Sequence, residues 1–368
     1  MVFQRLLRPR TLVDTPWLSS RLVIVWGLFL ASLGIGILIG QSTGLADEAD
    51  GVRDLLALLF VAGLSILLSA IRASDAVLSK VVFTYIVTVT ISLAALLVLA
   101  ALRATPLIDP WYQAIRFRGW SENPNQLALM LLALPFFCVW AYQRTESGSR
   151  RLWIAACLGI SLIAGALSLS EALYLAWGAS FGLCFLAWFA SYYRSPARSP
   201  LSAMWRNVTL PSVLIGVCIA VVVPLVVRAV EIAAAIYAIG NQGSTRLAVW
   251  RHGFEAALYS PLFGLGPGAY SGTTGPFQGS EAHSTFIDVL SQAGLLGLTA
   301  YLMLLIFVGR RLVASRELAF VGAFSALVIF SCFHYVLRQP IFWLSLILMV
   351  RLAPAYYSVA PRLQRRTA

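Results

Sequence analysis

The sequence predicts an all-α integral membrane protein that crosses the bilayer about ten times, as one polytopic domain over residues 1–368. Of the 368 residues, 60% are hydrophobic and only 11% are charged, whereas charged residues make up roughly a quarter of a typical soluble domain. The hydrophobic residues gather in continuous runs of the length that a membrane-crossing helix requires, about 20 residues. Because polarity does not alternate along these runs, they predict helices and not the strands of a membrane barrel.

Ten apolar runs are spaced along the chain, and the last of them is short. They cover approximately residues 22–40, 54–71, 81–102, 126–142, 152–169, 172–193, 211–230, 284–308, 318–336 and 340–353. The first run follows a basic segment, as the core of a signal peptide does. Its length and the nine runs after it nevertheless favour a retained helix.

The net charge of +12 is distributed unevenly between successive connections. The N-terminal tail and every second connection after it are rich in arginine, which predicts that these segments lie in the cytoplasm. Both termini are therefore expected inside, in a bacterial inner membrane, and the connection between helices 7 and 8 is expected in the periplasm. Asp47, Glu48 and Asp50 make the first outer connection acidic, in agreement. Since this pattern accounts for the basic balance, we expect no nucleic-acid partner.

The residue types argue against a metal, a cofactor or a cytoplasmic nucleotide. The cytoplasmic connections are too short for a nucleotide-binding domain, and the chain contains no phosphate-loop lysine motif. No Cys/His/Asp/Glu cluster has the spacing of metal ligands. All five cysteines fall within predicted spans, where they are expected to act as small packing residues.

The longest periplasmic loop, residues 231–283, is predicted to carry the site. It begins with an amphipathic helix near 245–258, for which Ser244 can serve as the N-cap. A run of Gly and Pro follows at 260–268, and its backbone can approach a ligand closely. The apolar stripe of the helix predicts that it lies on the membrane surface. The stripe consists of Leu247, Trp250, Phe254 and Leu258.

His283 is the strongest candidate for proton transfer. Ser280 can cap the helix that enters the membrane after the loop, which would put His283 in its first turn. There the positive end of the helix dipole disfavours protonation, and a neutral imidazole can accept a proton from a hydroxyl. The alternative is a capping or interface histidine. His252 is expected to be solvated on the surface helix, and the role of His334 is left open.

Arginines on the translocated side of the membrane oppose the charge rule, so each needs a compensating partner. One explanation is pairing with nearby carboxylates or lipid phosphate, and the other is a site for an anionic substrate, because guanidinium matches phosphate oxygens. Glu171, at the outer end of the sixth span, is expected to be paired or functional, with Arg246 or Arg338 as its partner. The outer arginines are Arg103, Arg116, Arg118, Arg246, Arg251 and Arg338, and the carboxylates of these loops are Asp109, Glu122, Glu255 and Glu281.

Several segments, in this order, resemble the signature of the O-antigen ligase and O-antigen polymerase family. The specific ones are 246–250 (RLAVW), 260–268 (SPLFGLGPG), 283–286 (HSTF) and 294–297 (GLLG). Segments 118–128 (RGWSENPNQLA) and 338–343 (RQPIFW) are similar to the same family. The resemblance covers roughly residues 110–350.

This resemblance implies a glycosyltransferase that moves a glycan from a polyprenyl diphosphate to an acceptor on the periplasmic face, without a metal or cofactor. By motif match, Arg246 would hold the donor diphosphate and His283 would assist the acceptor hydroxyl. A single displacement would make the enzyme inverting. The remaining residues expected to bind the donor or acceptor are Arg116, Arg118, Arg251, Arg338, Glu171 and Trp250.

Three positions depart from the family pattern. Ser284, Gln292 and Glu171 stand where the family commonly has asparagine, an acidic residue and arginine. The change at Glu171 removes an expected diphosphate-binding arginine. Either Arg116, Arg118 or Arg338 replaces it, or the donor differs from that of the family.

Two alternatives remain open at this stage. A ligase and a polymerase differ only in the acceptor, lipid A-core or another lipid-linked glycan, and the resemblance favours the ligase slightly. A transporter or flippase of lipid-linked saccharides would instead need charges at mid-bilayer depth and related halves. Membrane lipid and polysaccharide export machinery are further expected partners.

Overall fold

The computed structural model describes residues 15–45, 48–102, 109–194, 242–269 and 281–353, which form helices and one short β-ribbon. The elements in chain order are α1 (Thr15–Thr43), α2 (Glu48–Ala70), α3 (Asp75–Ala101), β1 (Trp111–Tyr112), β2 (Arg116–Phe117), α4 (Pro124–Leu131), α5 (Leu134–Arg144), α6 (Gly148–Leu167), α7 (Glu171–Arg194), α8 (Gln242–Tyr259), α9 (Thr285–Ser315), α10 (Leu318–Ser331) and α11 (Pro340–Leu352). The two strands pair antiparallel.

Most of the predicted apolar runs coincide with helices. Within the described residues, seven helical segments are long and apolar enough to cross a membrane, and two shorter apolar helices follow them, α10 and α11. These match nine of the ten predicted runs. The remaining run, 211–230, lies outside the described residues. The protein is therefore an all-α, multi-pass membrane protein.

The predicted span 126–142 is divided into α4 and α5. Asn123 caps α4, since its side-chain oxygen accepts hydrogen bonds from the amides of Asn125 and Gln126, both at 3.0 Å. Pro135 has no N–H to continue the hydrogen-bond ladder, so the helix is interrupted just before it. At the same interruption the Trp177 indole donates to the Leu132 carbonyl at 3.0 Å.

Small residues let the helices approach closely in the part of the bundle formed by α5, α6, α7 and α10. A β-carbon at Gly322 would lie 2.5 Å from the Phe136 ring, and one at Gly165 would lie 2.3 Å from Trp177. Phe136 also stacks on Phe181 with 4.7 Å between centroids. Van der Waals packing of this kind holds membrane helices together, because lipid supplies no hydrophobic driving force between them.

Side-chain contacts show which turns share an end of the bundle. The Arg351 guanidinium donates to the carbonyls of Ile71 (2.7 Å) and Ala73 (3.2 Å), so the end of α11 lies beside the α2–α3 turn. Arg144 pairs with Glu317 at 2.6 Å, joining the end of α5 to the start of α10.

Helix α9 is broken at Gly294, and residues 260–269, here called the wedge loop, fill the break. Gly294 has φ 58° and ψ −163°, a non-helical conformation. In a continuous helix the amides of Leu295 and Leu296 would bond the carbonyls of Ser291 and Gln292. They donate instead to the wedge-loop carbonyls of Pro261 (2.8 Å) and Leu262 (3.1 Å).

The wedge loop also satisfies the carbonyls that the break leaves without helical partners. Leu265 and Gly266 donate their amides to Ser291 and Gln292, both at 2.9 Å. The Ser32 hydroxyl of α1 donates to the Ala293 carbonyl at 2.7 Å. An irregular backbone inside a membrane protein persists only when its polar groups are satisfied in this way. The segment 260–268 was expected to approach a ligand. Instead, Gly264 approaches the backbone of α9 and Gly266 approaches the backbone of α1.

Helix α8 coincides with the helix predicted near 245–258 but begins earlier. It runs from Gln242 to Tyr259, so Ser244 lies inside the helix and the N-cap prediction for it was wrong. Leu247, Phe254 and Leu258 are exposed, as a face directed to a membrane surface would be, and Trp250 is partly buried.

Candidate functional site

His283 lies just outside α9, and its predicted place in the first turn of a helix was wrong. The N-cap is Ser284, in an extended conformation, and the helix begins at Thr285. His283 itself adopts a left-handed conformation with φ 53° and is exposed. Ser280, the predicted cap, lies outside the described residues.

The carboxylate of Asp288 explains this local structure. Its Oδ1 accepts the Ala282 amide at 2.8 Å, and its Oδ2 accepts the Ser284 amide at 3.1 Å. An acidic side chain in the first turns that reaches back to the N-cap amide resembles a capping box. The backbone is therefore held on both sides of His283.

The turn between α10 and α11 lies beside His283. Its ring centroid lies 6.3 Å from that of His334, which stacks on Phe330 at 4.6 Å. The Thr285 hydroxyl donates to the His334 carbonyl at 2.6 Å and accepts the Val336 amide at 3.1 Å. The start of α9 is therefore fixed to the turn between α10 and α11.

Helix α8 packs directly on the His283 turn. A β-carbon at Gly253 would lie 3.0 Å from the Ala282 β-carbon and 2.8 Å from the Ile287 side chain. The Trp250 ring lies 6.3 Å from Phe333, the neighbour of His334. Its indole Nε1 is buried, with no hydrogen-bond partner among the residues that the structure describes.

Arg246 lies in the early part of α8, and Arg251 lies one and a half turns further on. Arg251 is exposed and pairs with Glu255 at 2.7 Å, four residues away. The hydrogen bond and charge of Glu255 raise the pKa of Arg251. His252 also lies near this carboxylate, with 3.6 Å between its Nδ1 and the oxygen.

Arg338 is held by two carboxylates from different parts of the chain. It bonds Asp54 of α2 and Glu281, two residues before His283. Its guanidinium carbon also lies 5.1 Å above the Tyr335 ring. Asp54 is completely buried, and 17% of the Arg338 side chain is exposed. Glu281 was one of the carboxylates expected to pair with an outer arginine, and it pairs with Arg338.

Tyr335 and Gln292 continue this polar cluster into the bundle. The Tyr335 hydroxyl donates to Gln292 Oε1 at 3.4 Å. Burial, followed by the charges of Asp288 and Asp54, raises the pKa of Tyr335 well above its usual value. The phenol therefore keeps its proton at physiological pH and remains a hydrogen-bond donor.

Arg116 and Arg118 belong to a second group, built on the ribbon and the turn before α7. Arg116 donates to the Ser168 carbonyl at 3.1 Å and to Asn125 Oδ1 at 3.3 Å. Burial lowers the pKa of Arg116, and the charge of Glu171 opposes that shift. Glu171 is exposed in the first turn of α7, and its charge acts on Arg116, which was not one of the two arginines expected as its partner.

Arg118 stabilises the ribbon through backbone carbonyls. Its guanidinium donates to the carbonyls of Asp109 (3.0 Å) and Glu122 (3.2 Å). The expected partners were the carboxylates of these residues.

Two buried acids were missed as site residues. Asp54 and Asp288 both fall within predicted apolar runs, and an ionisable residue in such a run is a recognised indication of function or pairing. That signal was available in the sequence. The partner of Asp54 was not, because Arg338 lies 284 positions further along the chain.

The fold and this cluster define a multi-pass membrane protein with a polar site at one end of its helical bundle. Residues 156–302 match the family model described as O-antigen ligase. The match contains α8, the wedge loop, His283 and the Gly294 break, and it confirms the resemblance to this family. No curated protein matches the chain. The family match supports an O-antigen ligase or related polymerase function, and therefore an enzyme that acts on lipid-linked glycans.

Proposed function

We propose that this protein is a ligase-type glycosyltransferase of the bacterial inner membrane, with its site on the periplasmic face. It transfers a glycan from a polyprenyl diphosphate to an acceptor hydroxyl in the biosynthesis of lipopolysaccharide or a related surface polysaccharide. The observation that carries the proposal is His283. It is exposed in a left-handed turn, inside the segment that matches the O-antigen ligase family.

The proposed reaction is a single displacement. The acceptor oxygen bonds the anomeric carbon of the donor sugar, and the bond from that carbon to the diphosphate oxygen breaks. His283 takes the proton of the acceptor hydroxyl, a role worth on the order of 10²–10⁴ in rate. The configuration at the anomeric carbon is inverted, and polyprenyl diphosphate leaves with the electron pair.

Arginines provide the countercharge for the leaving diphosphate. We assign this role first to Arg246, by its motif and its place in α8, the helix that packs on the His283 turn. Arg116 is a second candidate, because it is only partly buried and stays charged. Arg338 binds two carboxylates, so we propose that it holds Glu281 and the adjoining turn. Trp250 is proposed to shape the acceptor entrance beside Phe333.

The test uses a deletion strain complemented with single variants, with polysaccharide followed by gel and membrane abundance by immunoblot. His283→Ala and Arg246→Ala are expected to abolish the complete glycan at normal abundance. His252→Ala and Arg150→Ala are matched controls, since these side chains lie on the surface helix and at the opposite end of the bundle. Full restoration by both site variants would refute the proposed site and bring forward a transporter or flippase.

The same experiment separates ligase from polymerase. Long chains that stay on the polyprenyl carrier indicate that ligation to lipid A-core is lost. Single lipid-linked repeats indicate that polymerisation is lost.

A further inference from the structure

One buried carboxylate binds the backbone on both sides of His283. The amides of Ala282 and Ser284 donate to separate oxygens of Asp288, at 2.8 and 3.1 Å. Asp288 is completely buried. No other described carboxylate is shown to accept two main-chain amides.

This arrangement coincides with an unusual backbone conformation. His283 has φ 53°, in the left-handed region that residues with a β-carbon rarely occupy. Such a conformation persists when the surrounding structure over-determines it. The amide of Ser284 belongs to the peptide plane that follows His283, and the amide of Ala282 belongs to the plane before Ala282. With both amides bound to Asp288, neither of these two planes can rotate freely.

Asp288 is itself on a rigid support. Its own amide donates to the Ser284 carbonyl at 2.8 Å, as the first bond of α9. The neighbouring Thr285 joins this helix start to the His334 turn. The position of the carboxylate is therefore set by α9, which packs along α1.

We propose that Asp288 is a positioning residue, which presents the His283 imidazole to the acceptor hydroxyl by fixing the turn beneath it. This inference rests on the proposed function, in which His283 takes the acceptor proton. Catalytic groups displaced by about 1 Å can lose on the order of 10²-fold in rate. Asp288 does not touch the substrate, so its loss acts on turnover and not on substrate affinity.

The experiment measures transfer by isolated membranes, with the lipid extract of the deletion strain as donor and its unsubstituted glycolipid fraction as acceptor. Rates are expressed per mole of variant protein, so that a variant of low abundance is still informative. Asp288→Asn places an NH₂ group against one of the two amides. It is expected to lower kcat about 10- to 100-fold with KM within about twofold.

Two variants serve as comparisons. Asp288→Glu restores both acceptor oxygens and is expected to recover activity above Asp288→Asn. Tyr301→Phe removes a hydroxyl that is also buried on α9, further along the helix, without touching residues 282–284 or the polar cluster around Arg338. It is expected to retain kcat within about twofold, because the His283 turn is unchanged.

Hydrogen exchange followed by mass spectrometry provides a readout that does not depend on activity. Asp288→Asn is expected to accelerate exchange of the amides of 282 and 284, and Tyr301→Phe is not. Unchanged exchange in Asp288→Asn overturns the geometric basis of the inference.

The outcomes also separate this inference from the proposed function. If His283→Ala is inactive and Asp288→Asn is fully active, the positioning role is wrong and the proposed function stands. If His283→Ala is itself fully active, the proposed function fails and the inference fails with it. Equal activities of Asp288→Asn and Asp288→Glu also count against positioning.

Discussion

The contact between α1 and the wedge loop can be tested with two glycines of the same helix. A β-carbon at Gly36 would lie 2.6 Å from the Gly266 amide nitrogen, 3.0 Å from the Phe263 carbonyl oxygen and 3.1 Å from the Gln292 carbonyl oxygen. All three atoms belong to backbone, which cannot rotate away as a side chain can. At Gly34, two residues earlier, a β-carbon would meet nothing within 4 Å.

The difference between Gly36→Ala and Gly34→Ala isolates this contact. Both changes gain the same helix propensity, so that contribution cancels in the comparison. Overpacking a close contact costs about 1–3 kcal/mol. The Gly36 change also displaces Gly266, whose amide bonds the Gln292 carbonyl at 2.9 Å. Losing that bond costs about 0.5–1.5 kcal/mol more. We therefore expect Gly36→Ala to be less stable than Gly34→Ala by roughly 2–4 kcal/mol.

The assay is thermal unfolding of both purified variants in the same detergent, followed by tryptophan fluorescence at one scan rate. A fixed scan rate is needed because membrane proteins commonly unfold irreversibly. Gly36→Ala should unfold at a clearly lower temperature than Gly34→Ala, which should match the unmodified protein or exceed it. Equal unfolding temperatures would show that the wedge loop does not press on α1 as described.

Three other predictions concern the polar cluster, the break in α9 and the ribbon. Arg338→Ala leaves the buried Asp54 carboxylate without this partner and should cost about 3–5 kcal/mol of stability. The double variant Arg338→Ala/Asp54→Asn should recover part of that loss in the same unfolding assay. If the losses of stability of the two single variants simply add in the double variant, the pairing is contradicted. Gly294→Ala brings a β-carbon to 2.3 Å from the Leu262 carbonyl carbon at a backbone conformation reserved for glycine. Low membrane abundance is therefore expected by immunoblot, and normal abundance and unfolding would argue against the break. Arg116→Lys keeps the charge but cannot reproduce the two hydrogen bonds to Ser168 and Asn125. It should reduce glycan transfer more than the matched Arg150→Lys does, and equal transfer would exclude a role for guanidinium geometry at Arg116.

The sequence was sufficient for the location of the helices, because membrane helices depend on a local property. Continuous apolar runs of about 20 residues are visible without any tertiary contact. The exception is the predicted span 126–142, which is divided into α4 and α5 near Pro135. The proline is a local signal, but the run was long enough to be read as one continuous helix. The predicted start of α9 was wrong because it took no account of Asp288. The true N-cap is Ser284, and the Asp288 carboxylate, four residues later, accepts a hydrogen bond from the Ser284 amide and so fixes where the helix begins.

The candidate site was predicted only in part. His283 could be selected from its motif, and α8 from its periodicity, since both signals are contained in a few neighbouring residues. The partners of Arg338 could not be selected, because Asp54 precedes it by 284 residues and Glu281 by 57. The role of the Gly/Pro segment was likewise hidden, since its glycines contact Gly36 of α1 and the broken turn of α9.

The sequence by itself therefore determined the class of protein, the position of its helices and the segment that bears His283, all of which follow from short-range patterns of hydrophobicity and residue type. Only the tertiary structure decided how that segment is held. Within the described residues, the left-handed turn depends on the buried Asp288 carboxylate, Arg338 is compensated by α2, and the α9 break is repaired by the wedge loop. The physical reason is the same in each case. A buried charge or an unpaired backbone group must find a partner inside the protein, and which partner it finds depends on packing between helices that are distant in the chain.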